Sequence, residues 1–370
     1  MTQEHHSRVI LLVGTEKGLF RLTSDRNREQ WSIDGPLIAG HEILHAWNDP
    51  RQPQLAYAAV RHLIWGAHIY QSTDAGQTWE SLNTVPQHEL GRHKESLRAI
   101  WYLAPGLSSE PTTLYAGIDP AGLFVSRDRG ASWTPVSALN DHPTTDTWEP
   151  AKGGFSMHSI QQCERLPDRL YAAVSAGGAY RSDDRGASWY PINRNVRAEN
   201  KPQRFMESGH NIHRLLAHPA QPDRLYRQCY NGMYRSDDGG LNWVEISEGL
   251  PSDFGYALVT EAADPDVVYV LPVASNHMRT MPDGRLRVYR SADAGNTWEA
   301  LTQGLPQEHV YVSVLREAMA VDDLPSCGVY FGTTSGHLFS SRDHGQQWQC
   351  LAAFLPRILS VKAVVIHDQA

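Results

Sequence analysis

Residues 236–243 read SDDGGLNW, and the skeleton Ser236, Asp238, Gly240, Trp243 decides the fold because it recurs. The same S-x-D-x-G-x-x-W spacing stands at Ser72/Asp74/Gly76/Trp79, Ser126/Asp128/Gly130/Trp133, Ser182/Asp184/Gly186/Trp189, Ser291/Asp293/Gly295/Trp298 and Ser341/Asp343/Gly345/Trp348. A seventh stretch, SDRNREQW, keeps Ser24 and Trp31 but loses the Asp and Gly positions. The seven tryptophans lie 48, 54, 56, 54, 55 and 50 residues apart, the signature of one supersecondary unit repeated seven times.

The skeleton has turn chemistry. A carboxylate at the third position can accept backbone N–H groups across a tight corner. Glycine two residues later supplies a positive φ that side chains resist. The tryptophan then opens the next strand and offers a large ring for packing between sheets. Recurrence in every unit makes these aspartates structural rather than catalytic.

Outward from each corner the strands follow. The run just before it reads GLFRL, HIYQS, GLFVS, GAYRS, GMYRS, RVYRS or HLFSS, and the run before that ILLVG, AYAAV, LYAGI, LYAAV, LYRQC, VYVLP or VYFGT. Both are aromatic and β-branched and are bounded by Gly, Pro, Asp or Asn, as strands are. A short strand such as WVEI follows each tryptophan, and one such as EILHAW or NIHRLLA precedes each pair. Each unit is thus a four-stranded antiparallel meander, and sheets of this kind bury both faces by packing radially.

The first unit begins at its second strand, 9–14, and its missing first strand is supplied by ILSVKAVVIH at 358–367. The sequence therefore predicts one all-β domain over 1–370, a seven-bladed β-propeller whose ring is closed by the C-terminal strand pairing with the N-terminal blade. The blades are expected at 358–370 with 7–36, then 42–84, 96–138, 156–194, 211–250, 256–303 and 311–354.

Composition narrows the partners. A formal net charge of -8 argues against nucleic acid. The opening MTQEHHSRVILLVGTEKG has no basic region and only a short apolar run, and no stretch reaches bilayer length, so a cytoplasmic protein without a membrane partner is expected. The four cysteines, Cys163, Cys229, Cys327 and Cys350, lack metal-type spacing and are expected to be reduced thiols. Nothing in the sequence sets an oligomeric state.

At its six corners the chain resembles the Asp-box (bacterial neuraminidase repeat, BNR) propellers, a group that includes sialidases, xyloglucan-degrading glycosidases, sortilin-type receptors and a photosystem II assembly factor. Over nearly its full length it is similar to bacterial BNR-repeat proteins labelled sialidase-like or glycosyl hydrolase. The stretches that carry this are VGTEKGLF, LYAGIDPAGLF, LNDHPTTDTWEP, EGLPSDFGY, PDGRLRVYRSADAG and AVDDLPSCGVYFGT. The resemblance implies the propeller with Asp-box turns; propellers host many chemistries. Sialidases of this fold carry an Arg-Ile-Pro type motif in the first blade, where this chain has RVILLVGTEKGLFRL. Xyloglucan-type enzymes use two facing propellers, and this chain has length for one.

Chemistry is expected at the rim opposite the corners, where the loops are long and unlike one another. Aligning first strands places His45, Arg98, His158, His213, Tyr256, Tyr311 and Lys362 around the channel mouth. His158, His213, Tyr256, Glu207 and Glu42 are candidate catalytic groups, and Arg98, Lys362, Tyr311, Trp65 and Arg61 candidate substrate-binding groups. Glu95, Asp253 and Glu308 are further carboxylates that could form a glycosidase pair. Three readings follow from the ring. The residues fill a polar channel; or His and Tyr perform acid–base work on an anionic or sugar-like molecule; or His45, His158 and His213 hold a divalent metal cofactor. The preferred reading is a hydrolase or lyase for a small carbohydrate or other anionic small molecule. The alternative is a non-catalytic propeller that binds a protein partner or acts in assembly.

Overall fold

A computed structural model describes residues 7–88, 96–150, 154–198 and 202–367. Strands Ser7–Thr15 and Gly18–Asp25 form a hairpin because eight alternating partners match from Arg8↔Asp25 to Thr15↔Gly18. On the open edge of this hairpin lies Ile358–His367, antiparallel to Ser7–Thr15 from Ser7↔His367 to Thr15↔Ile358. Six further four-stranded meanders follow, and the seven sheets form the expected propeller, closed by the C-terminal strand. No helix among the described residues is long and apolar enough to cross a membrane, and the four cysteines are free.

The core lies between blades. The tyrosine of the second strand is fully buried at Tyr57, Tyr171, Tyr226, Tyr269 and Tyr330, packed against the neighbouring sheet. Second strands come so close to the next blade that Gly117 has no room for a side chain: a Cβ there would sit 2.3 Å from the Met157 carbonyl oxygen.

The corners obey one plan. In the Ser236 corner, Ser236 Oγ donates to Asp238 Oδ1 (2.8 Å) and accepts from the Gly240 N–H (2.8 Å). Asp238 Oδ1 and Oδ2 then accept from the backbone and side-chain amides of Asn242 at 2.9 and 2.7 Å. Hydrogen bonds to serine, threonine and backbone groups outweigh the cost of burial and hold Asp74 at about 2, and similar bonds hold Asp128 at about 2. The eroded corner is built otherwise. Asp25 Oδ1 accepts from the backbone of Asn27 and Arg28, and the buried Arg28 guanidinium reaches the last blade at Asp322 (2.9 Å).

Inner strands carry a shared irregularity that positions the site. Pairing slips by a residue or two between Ile43 and His45, Ile100 and Tyr102, Met157 and Ser159, Ile212 and Arg214, Gly255 and Leu258, and opposite Ser360 and Ile358. Each slip is a bulge that re-aims the skipped side chain. The last blade differs from expectation at this point. Its inner strand is only Met319–Val321, and 311–318 approaches as irregular chain rather than starting a strand at 311.

Candidate functional site

Leu44, Trp101, Tyr256 and Leu359 are bulge residues, and all four face one cavity of about 350 Å³ at the channel mouth. Leu315, Arg316 and Glu317 enter it from the irregular segment of the last blade, and Glu16, Glu42, Arg61, Arg279 and Arg357 complete its wall. The volume lies within the range of about 300–1,000 Å³ usual for small-molecule sites.

Glu317 is the floor. It is 2% exposed, yet it collects side chains from three other blades. Arg214 Nη1 donates to its Oε1, Lys362 Nζ to its Oε2 at 3.0 Å, and His45 Nε2 lies 3.7 Å from Oε2. Tyr102 stacks on the His45 ring at 4.4 Å, and the Arg214 and Lys362 cations sit over the Tyr102 ring, each at 5.8 Å. Burial and the Arg214 charge bring the Lys362 ammonium down to about 8. Burial pushes the Tyr102 phenol up, but Lys362 and Arg214 outweigh it and leave it lowered. Above this floor Arg316 crosses the mouth to stack on Trp101, 5.5 Å from the ring centre. Burial draws the Arg316 guanidinium down to about 10, and its Nη1 is buried without a hydrogen-bond partner.

The three ring histidines do not meet. His158 Nε2 donates to the Ile212 carbonyl (2.9 Å) and its Nδ1 faces Ser159 Oγ (3.0 Å). His213 Nδ1 donates to the Gly255 carbonyl (2.6 Å), and the His45 Nδ1 accepts from the Leu103 N–H (3.4 Å). Ile212, Gly255 and Leu103 each lie on the inner strand of the next blade, so the imidazoles tie three separate blade interfaces. Burial lowers His213 to about 3 and His45 and His158 well below the usual histidine range, so all three are neutral. Among the described residues no group of three or more His, Cys, Asp or Glu side chains is placed to hold a metal ion.

The other expected residues divide. Glu42, Arg61 and Tyr256 come together in the mouth, with Arg61 Nε donating to Glu42 Oε2 at 2.6 Å. Lys362 lies in the channel below. Arg98 is turned onto Asp119 (3.0 Å from Nε), in the strand beside it. Trp65 (70% exposed) stands at a hairpin tip against His62, and Tyr311 (68% exposed) lies beside Gly284. Glu207 lines a different cavity, with Arg194, Phe205 and Leu241. Asp253 pairs with Arg197 (3.4 Å), Glu308 is exposed, and Glu95 lies outside the described residues.

Sequence reading passed over Glu317, Arg316, Trp101, Arg214 and Tyr102. A signal for Glu317 existed. The thirteen residues that separate His158 from Tyr171 and His213 from Tyr226 also separate Glu317 from Tyr330. Trp101 is displaced from that count by one extra residue in its hairpin, ahead of Tyr115.

No protein-family model matches the chain. Among curated proteins it is similar to the xyloglucanase Xgh74A of Acetivibrio thermocellus, 26% identical over 247 residues, covering 56% of this chain and 28% of the relative. A xyloglucanase of Hypocrea jecorina is 23% identical over 334 residues, covering 80% and 38%. The chain thus spans less than half the length of these relatives. Among solved structures, a GH74 enzyme of Niastella koreensis superposes with a TM-score of 0.56 at 15% identity, covering 96% of this chain and 66% of the other, a likeness of fold.

Proposed function

We propose that this chain is a carbohydrate-acting hydrolase propeller whose ligand sits in the cavity at the channel mouth. The observation that carries the reading is the meeting, in one cavity, of two aromatic side chains, Trp101 and Tyr256, with a carboxylate, Glu42, on a charged floor. Aromatic faces suit the C–H faces of a sugar, while carboxylate and guanidinium groups suit its hydroxyls. Similarity to xyloglucanases supports a carbohydrate ligand.

The roles follow from the surroundings. Arg61, whose Nε donates to Glu42 Oε2 at 2.6 Å, orients a carboxylate placed to act as a general base that activates water. Tyr256, whose phenol is raised by burial, stays protonated and can donate to a leaving oxygen. His158 and His213, neutral and bonded to backbone carbonyls, position the strands that carry Tyr256 and Arg214 rather than move protons. The test is a screen of glycosides and oligosaccharides with the intact protein, followed by Glu42→Gln and Tyr256→Phe. The expected result is turnover reduced at least a hundredfold in either variant, with the melting temperature within a few degrees of the parent. Full turnover in both variants would overturn the assignment.

A further inference from the structure

The mouth carries more positive charge than its carboxylates can match, although the whole chain has a formal net charge of -8. Glu42 is taken by Arg61, Glu16 by Arg357 (3.6 Å), and Glu317 by both Arg214 and Lys362. Two guanidinium groups remain. Arg316 has a buried Nη1 with no hydrogen-bond partner, and among the described residues no carboxylate forms an ion pair with it. Arg279, on an exposed loop, donates among the described residues within its own turn, to the carbonyl and side chain of Asn276 at 3.0 and 3.2 Å. The three histidines nearby are neutral and offer no compensating charge. A partly buried cation without a counter-charge is costly, and an anionic ligand in the cavity would offset that cost.

We infer that the cavity seats an anionic sugar, a sugar acid or a sugar phosphate, with its carboxylate or phosphate against Arg316 and Arg279 and its ring between Trp101 and Tyr256. This rests on the mouth being a carbohydrate seat and adds the charge of the ligand. Arg316 is fixed for the task, since it lines the cavity and stacking on Trp101 holds its guanidinium plane. Arg279 lies where a ligand entering from solvent meets it first, and it steers anions inward.

The test is titration calorimetry of the intact protein with glucuronate, glucose 6-phosphate and glucose. Either anionic sugar should bind at least tenfold more tightly than glucose, and the tighter of the two identifies carboxylate or phosphate as the preferred group. Arg316→Gln should remove at least tenfold of that preference, read as the ratio of anionic-sugar to glucose affinity in the same variant. Inorganic phosphate should compete with the anionic sugar on the unaltered protein, a measurement that does not depend on any variant folding. Glucose binding as tightly as both anionic sugars would overturn the inference while leaving the carbohydrate seat in place. Failure of all three sugars to bind would overturn both.

Discussion

Six corners at the outer edge repeat one set of hydrogen bonds, whereas the six inner strands that carry bulges present different side chains there. In the corners, the serine, aspartate and glycine satisfy one another within eight residues, so each corner is complete in itself. At the channel floor, closure runs between blades. Glu317 of the last blade is satisfied by Arg214 and Lys362 from two others, and Arg316 rests on Trp101 from a third. Local closure makes a scaffold that tolerates repetition; closure across the ring makes a site in which every position is distinct. The eroded first corner belongs to the second kind, since Arg28 holds it to Asp322 of the last blade.

The contrast can be broken first at the seam. Removing 358–367 takes away the inner strand of the first blade, exposes the edge of Ser7–Thr15 and leaves Glu317 without Lys362. Loss of cooperative thermal unfolding is expected, and a truncated chain that melts like the parent would refute the closed ring. Next in size is Glu317→Gln, which leaves Arg214 and Lys362 buried without their counter-charge. A loss of about 3–5 kcal/mol in urea unfolding is expected, the scale for breaking a buried ion pair on one side.

Acid sharpens the comparison because the two regions titrate in different windows. The three interface histidines have folded-state values below their unfolded value, so the stability they contribute is present above about pH 6.5 and is lost as pH falls. For His213 the loss runs down to about pH 3. Each should contribute a slope of about 1.4 kcal/mol per pH unit within its window. The corner carboxylates are also depressed, but theirs is lost only as pH falls from about 4 towards 2. His158→Gln should therefore flatten the stability profile as pH falls below about 6.5. An unaltered slope there would mean that His158 is not buried neutral.

The smallest expected effect is at a single corner. Asp238→Ala removes bonds to one wet turn and should cost about 1 kcal/mol, with no change in ligand binding. A corner variant that abolished binding would erase the distinction between scaffold and site.

What was legible in the sequence follows the same division. The corners could be read because their chemistry lies within eight consecutive residues, and the closing strand because six complete units and one incomplete one leave a single strand missing. Glu42 and Arg61 line the mouth as a directly paired couple near strand ends, and Tyr256 lines it from a bulge. His158 and His213 occupy the expected ring position, yet they turn sideways to carbonyls of the next blade, a direction set by the bulge and not by the alignment. Arg98 and Lys362 shared the alignment, but bulges and a longer hairpin put Trp101 and Leu359 at the mouth instead. The stacking of Arg316 on Trp101 joins residues from blades far apart in sequence, which no local pattern encodes.

The most direct test of the claim that the mouth is the seat is a crystal structure of the protein soaked with glucuronate or glucose. The account requires the sugar between Trp101 and Tyr256, above Arg316. A sugar bound instead in the cavity of Arg194, Phe205 and Glu207, with the mouth holding none, would contradict it.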